Sequence, residues 1–249
     1  MIKNSSQFCY YSKVFILWGI LILPTAVLAQ SLSYTVSWLG IPVVDVTIMV
    51  SERDTSIQAE YHAKTRSWFD SIYAVDNRYW IEVDPVTFSP RYYRKQILER
   101  GRADSLWVRY PPQVPQVTYS NGIERAWVND THTLFSALLW VQHYDWELDE
   151  ELRLPIEVEG VLWEAGVECV DVIPSRKSGI QSVEVKARFE RRVAGEPVLS
   201  TTDILTYILP GVGHRLNVAL DPVEDEVKWI EFGAAPFVVR AELNSVTDQ

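Results

Sequence analysis

The stretch VDVTIMV, residues 44–50, shows the pattern that decides the fold of this chain. Valine or isoleucine stands at every second position, and aspartate, threonine and methionine stand between them. A period of two is typical of a β-strand with one buried face. The same alternation recurs in residues 34–38, 57–64, 167–173 and 182–193. The sequence therefore predicts a mainly β fold.

One segment departs from this alternation and has the spacing of an amphipathic helix. Its apolar residues, three and four positions apart, are Leu134, Phe135, Leu138, Leu139 and Val141. Asp130 or Thr131 is expected to cap a helix over about residues 131–145. Predicted strands do not alternate with predicted helices along the chain, so a parallel sheet is not expected. We expect a large curved antiparallel sheet or an open barrel, with this one amphipathic helix docked on it.

Residues 1–29 have the layout of a secretory signal. Two lysines flank the start of the segment, an apolar run follows at residues 14–23, and small side chains precede the expected cut between Ala29 and Gln30. The run would span only about 15 Å as a helix, roughly half of a bilayer core, which favours a cleaved signal over an anchor. We expect a single β-rich domain over residues 30–249, without a transmembrane segment, in the periplasm or outside the cell.

The charge and the cysteine content of the chain argue against a nucleic-acid partner and against an intramolecular disulfide. The chain has a net charge of -10, and the only charged residues of the predicted signal are two lysines, so the mature chain is more acidic still. Nucleic acids attract basic patches, so no nucleic-acid partner is expected. Cys9 leaves with the signal, and Cys169 alone cannot form an intramolecular disulfide. Cys169 stands in an alternating segment, which predicts a buried and unreactive thiol.

No motif in the sequence indicates a reaction. The chain has no Gly-x-Ser-x-Gly, His-Glu-x-x-His or Cys-x-x-Cys pattern and no phosphate-binding glycine loop. His132 and His143 are about three turns apart on the predicted helix, and His62 and His214 lie in other segments, whereas a zinc site needs at least three converging ligands. We therefore predict no catalytic residues, no metal, no cofactor and no enzymatic activity.

Aromatic residues are in unusual excess, with 10 Trp, 12 Tyr and 8 Phe. They could fill an ordinary core, or they could surround a cavity for an apolar ligand between the concave sheet and the helix. The residues expected at such a ligand are Trp38, Trp68, Phe69, Tyr73, Phe135 and Trp140. Neighbours in a regular strand point to opposite faces, so Trp68, Phe69 and Tyr73 can converge only if the chain bends at residues 67–71.

Several stretches together resemble an exported bacterial family, domain-of-unknown-function family 3108. They are YTVSWLGI at residues 34–41, AKTRSWF at 63–69, IYAVD at 72–76, VDPVTFSPRYY at 83–93, Asp130 with LFSALLW at 134–140, and FVVRAEL at 237–243. The resemblance implies an exported β-rich fold with one helix, and it implies no reaction. A looser likeness, in fold only, is to periplasmic lipoprotein-carrier proteins, in which a curved sheet and a helix enclose an apolar cavity.

Three functional hypotheses follow from the sequence. The first is a non-enzymatic envelope protein that binds or scaffolds an envelope component. The second is a carrier of an apolar small molecule, such as a lipid or acyl chain, in a cavity of the curved sheet. The third is an uncharacterised cell-envelope hydrolase, which would need two carboxylates about 5–10 Å apart in a cleft.

Overall fold

The computed structural model describes residues 28–111, 114–174, 181–192, 196–199, 203, 215–221, 224, 226–234 and 237–248. The predicted signal lies outside these residues except for its last two. The strands are β1 (Leu28–Trp38), β2 (Ile41–Arg53), β3 (Ser56–Thr65), β4 (Asp76–Val83), β5 (Pro90–Glu99), β6 (Arg102–Arg109), β7 (Gln116–Thr118), β8 (Glu124–Ala126), β9 (His132–Thr133), β10 (Glu151–Val158), β11 (Val161–Pro174), β12 (Gln181–Arg191), β13 (Arg215–Asp221), β14 (Glu226–Ala234) and β15 (Phe237–Asp248). The helices are α1 (Asp70–Tyr73) and α2 (Leu134–Gln142).

Thirteen of the described strands form one sheet in the order β6-β5-β4-β3-β2-β1-β15-β14-β13-β12-β11-β10-β9. Strands β1 to β6 form one antiparallel meander and β10 to β15 form another, and the pairing of β1 with β15 joins them. Tight turns connect the hairpins, as at Arg100–Gly101 and Glu159–Gly160, where both residues have positive φ. The mainly β fold class predicted from the alternation is confirmed, and the short β9 is parallel to β10.

Helix α2 lies within the curve of the sheet. The Phe135 ring stands 4.6 Å from Tyr61 and 4.8 Å from Tyr79, on strands of the first meander. Leu138 and Trp140 pack against the core of the second meander, formed by β10 to β14. A helix that touches both meanders must lie between them, because they are opposite walls of one curved sheet.

The predicted helix bounds of 131–145 are wrong by three residues at each end, because α2 spans only Leu134–Gln142. The cap is Thr133, not Asp130 or Thr131: its hydroxyl accepts the Ser136 N–H at 3.1 Å, and the Ser136 hydroxyl accepts the Thr133 N–H at 2.8 Å. His132 and Thr133 are extended, since they pair with β10. The short helix α1 was not predicted.

The two outer edges of the sheet meet through side chains. No backbone ladder joins β6 to β9 or β10 among the described strands. Instead, a buried polar cluster links the β5–β7 region to the end of β10 and the β10–β11 turn. We call this cluster the seam; its members are Lys95, Tyr110, Tyr119, Glu157, Glu159 and Asp203.

Candidate functional site

A cavity of about 1680 Å³ lies between the concave face of the sheet and α2. Every strand of both meanders contributes to its wall. The wall of β1 and β2 is aliphatic and consists mainly of Leu32, Val36, Val44, Val46, Ile48 and Val50. The opposite wall is also mostly apolar and includes Val185, Ala187, Phe189, Leu216, Val218, Ile230 and Phe232. The site is therefore a deep apolar volume.

Helix α2 supplies one side of the cavity. Both faces of this helix are largely apolar, and its lining residues are Leu134, Phe135, Ala137, Leu138, Leu139, Val141 and Gln142. Leu139 is buried against β3 and β4, whereas Leu138 is only partly buried and faces the second meander. The helix therefore packs against both meanders and still leaves the cavity open beside it.

Four of the six aromatic residues predicted at a ligand line the cavity. They are Trp38, Phe69, Tyr73 and Phe135. Trp68 and Trp140 do not line it. Trp68 is 51% exposed and forms an edge-to-face contact with Phe69, and Trp140 packs beside Tyr144 and Trp146. That these residues bind a ligand stays a prediction.

The conformation of the chain between β3 and β4 explains why Phe69 and Tyr73 line the cavity and Trp68 does not. A turn at residues 66–69 leads into α1, which places Phe69, Ile72 and Tyr73 at helical i, i+3 and i+4 positions. All three line the cavity, and Trp68 points away from it. The bend at residues 67–71 is thus present, as a single helical turn.

The sequence-based prediction missed most of the cavity wall, because most of its side chains are aliphatic. Sequence reasoning selected aromatic side chains, whereas β1 and β2 supply valine, leucine and isoleucine. The signal was present in the alternation itself, since Val46, Ile48 and Val50 share one face of their strand. These residues are only partly buried, which shows that their side chains face open space in place of a packed layer.

One end of the cavity is polar. Asn77 donates its amide to Glu99 at 2.6 Å and to the Tyr79 hydroxyl at 3.2 Å, and the Tyr73 hydroxyl donates to Glu99 at 3.0 Å. The guanidinium of Arg100 stacks 4.1 Å above the Tyr73 ring. These side chains come from neighbouring strand ends and hold one another in place at the edge of the apolar volume.

The seam forms a second polar region, and Asp203 connects it to the cavity. The Lys95 ammonium is fully buried and forms ion pairs with Glu159 and with Asp203, the latter at 3.2 Å. Asp203 also lines the cavity. Burial lowers the pKa of Lys95, although the charge of Asp203 opposes this effect. Lys95 lies on the same strand face as Tyr93 and Ile97, which is the only sequence signal that it points inward.

Glu157 is the centre of the other half of the seam. It accepts hydrogen bonds from the hydroxyls of Tyr110, at 2.9 Å, and Tyr119, and from the N–H of Gly160. Burial raises the pKa of Glu157 above its usual value, and these hydrogen bonds offset part of that shift. The carboxylate is held as a structural acceptor between the two edges of the sheet.

The described residues contain no group of three or more His, Cys, Asp or Glu side chains that could hold a metal ion. Cys169 is buried, and burial raises the pKa of its thiol, which disfavours the reactive thiolate. Neither helix in the described part of the chain has the length and apolar character needed to cross a bilayer.

The fold and cavity define a class of β-rich proteins in which an incompletely closed sheet curls around one helix and an apolar space. Residues 33–156 match the sequence model of a family described as a protein of unknown function, DUF3108. Over that segment the chain belongs to this family, as its sequence resemblance predicted.

A crystal structure described as a beta-barrel-like protein of domain of unknown function DUF1849, from Brucella abortus, has a similar fold. The TM-score is 0.55 at 9% sequence identity, over 90% of this chain and 98% of that chain. At this identity the likeness concerns the fold alone. No curated protein matches the sequence.

Proposed function

We propose that this chain is an exported, non-enzymatic protein that binds an apolar ligand, such as a lipid or acyl chain, in the cavity between the sheet and α2. The observation that carries the proposal is the size and lining of the cavity. Its volume of about 1680 Å³ exceeds the roughly 300–1,000 Å³ typical of small-molecule pockets. The proposal favours the carrier hypothesis over a purely scaffolding role.

Energetics support a binding role for this space. The cavity wall is mostly apolar, so water inside the cavity is in contact with apolar side chains. An apolar ligand that enters removes both this wall and its own surface from water, which is favourable by roughly 25 cal/mol per Å² of apolar surface buried.

Two of the carboxylates that line the cavity support a non-enzymatic role. Glu99 is held by Asn77 and Tyr73, and Asp203 is paired with Lys95. Carboxylates committed to such structural contacts are poorly placed to exchange protons with a substrate. Export rests on residues 1–29, and cleavage after Ala29 would leave Gln30, which lines the cavity, as the first residue.

Native mass spectrometry of protein recovered from the envelope of its own cells tests both parts of the proposal. The polypeptide mass should correspond to a chain that begins at Gln30. An additional mass, released on denaturation and soluble in organic solvent, should accompany the folded protein. A polypeptide that still begins at Met1 would contradict export, and a ligand-free folded protein would favour the scaffolding role.

A substitution that occupies the cavity gives a second test. Ala63 lies on β3 with its side chain in the cavity wall. Ala63→Phe should reduce the affinity for the neutral fluorescent probe N-phenylnaphthylamine by about tenfold or more, because the ring displaces ligand volume. The control is Ala103→Phe, which adds the same ring at an exposed position of β6. Equal binding by both variants would contradict a ligand site in this cavity.

A further inference from the structure

The charged residues that line the cavity are distributed unequally between its two ends. At the end where β5 turns into β6, Arg100 and Arg102 line the cavity. At the opposite end of the strands, Glu52 and Glu224 line it. Both arginines are exposed to solvent, which places them at an opening of the cavity. One end of the apolar volume therefore carries both lining arginines, beside the hydrogen-bonded Glu99, and the opposite end, which we call the acidic end, carries Glu52 and Glu224.

The two arginines are available to a ligand. Among the described residues, neither guanidinium forms an ion pair with a carboxylate, although Arg100 stacks on Tyr73 at 4.1 Å. The nearby carboxylates are already engaged, because Glu99 accepts hydrogen bonds from Asn77 and Tyr73. Stacking on the Tyr73 ring uses the face of the Arg100 guanidinium, whereas its N–H donors lie in the plane of the group and are not used by this contact.

We propose that the cavity selects amphiphiles with an anionic head group, a carboxylate or phosphate, and that Arg100 and Arg102 bind this head group while the apolar chain lies along α2. The proposal rests on the proposed function and specifies the class of ligand. Guanidinium groups bind carboxylates and phosphates through paired, charge-assisted hydrogen bonds. The acidic end disfavours the reverse orientation, so the head group has one preferred end.

Three ligands with the same chain and different head groups test the proposal: laurate, lauryl phosphate and lauryl alcohol, each displacing N-phenylnaphthylamine. The wild-type protein should bind at least one of the two anions about tenfold or more tightly than the alcohol. The double substitution R100Q/R102Q should reduce anion affinity about 10- to 100-fold, while the affinity for the alcohol changes less than about twofold. The two anions distinguish a carboxylate from a phosphate ligand.

Matched variants separate a local contact from the effect of net charge. R53Q/R109Q removes the same charge from two exposed arginines that do not line the cavity, and it should leave the anion preference unchanged. R100K/R102K keeps the charge and should retain most of the preference. Equal wild-type affinity for anions and alcohol, or parallel loss of both in R100Q/R102Q, would overturn the head-group assignment and leave the apolar site standing. Failure of every ligand to bind would refute the proposed function itself.

Discussion

The cavity wall and the seam are two regions of the same fold, and their strands are held together in different ways. The wall presents apolar side chains to open space and holds its strands together by continuous backbone ladders. The seam has no such ladder and joins the edges of the sheet by buried ionic and phenolic groups. We infer from the comparison that stability against unfolding resides in the packed layers and in the seam more than in the cavity wall.

Removal of the seam ammonium should have the largest effect on stability. Lys95→Met should lower the free energy of unfolding by about 3–5 kcal/mol, because two buried carboxylates lose a cation. Urea denaturation followed by tryptophan fluorescence measures this change. In the control Lys64→Met, the side chain is 60% exposed and 3.7 Å from Asp76, so the loss should stay below about 1 kcal/mol. Similar losses in both variants would show that the seam is not a major source of stability.

Equal truncations in a packed layer and in the cavity wall should differ by a smaller amount. Val83 is 0% exposed within the core of β3 and β4, whereas Val46 faces the cavity. Val83→Ala should cost about 2–3 kcal/mol in the free energy of unfolding, and Val46→Ala less than about 1 kcal/mol, because its methyl groups touch fewer atoms. Denaturation of the two variants side by side checks the difference. Equal costs would mean that the wall around Val46 is packed as tightly as the core.

The smallest predicted effect is a pH dependence of the seam. Burial raises the pKa of Glu157 above 4.5, so the folded state binds this proton more tightly than the unfolded state. That contribution to stability is fully present below 4.5 and is lost as the pH rises through the folded-state pKa. Glu157→Gln cannot lose a proton. Its free energy of unfolding minus that of the wild type should therefore increase as the pH rises from about 4, and then level off.

Urea denaturation of both proteins at each pH gives this difference directly. A difference that decreases with rising pH would show that the hydrogen bonds from Tyr110 and Tyr119 outweigh desolvation and that the pKa is lowered. The measurement thus decides which physical effect dominates at the centre of the seam.

The sequence predicted the parts of the structure that depend on local periodicity. Alternation indicated the strands, and the spacing of Leu134, Phe135 and Leu138 indicated α2. The N-terminal end of the helix was wrong because His132 and Thr133 pair with β10 as a strand, so the helix begins only after them, with Thr133 as its cap. This pairing is a tertiary contact, and it has no signature in periodicity.

The seam could not be predicted for a related reason. Lys95 pairs with groups far away in the chain, and Asp203 is 108 positions distant. A lysine in an alternating strand is ordinarily interpreted as solvent-facing. The inward position of Lys95 becomes meaningful only once the two edges of the sheet are known to meet. Trp68 was assigned to the cavity because aromatic residues are in excess and its segment was expected to face the helix, yet the turn that leads into α1 leaves it exposed.

The pairing of β1 with β15 has a consequence for the order in which the molecule folds. Each meander can form from neighbouring hairpins, whose contacts are close in sequence. The register that joins the meanders pairs Gln30 with Asp248 and Trp38 with Val239, about 200 positions apart. Contacts across such long loops form slowly, because the entropy of loop closure must be overcome first. Until β15 pairs with β1, each of these two strands has an unpaired backbone edge. We therefore expect a delay in folding during which these edges can pair with other chains and cause aggregation.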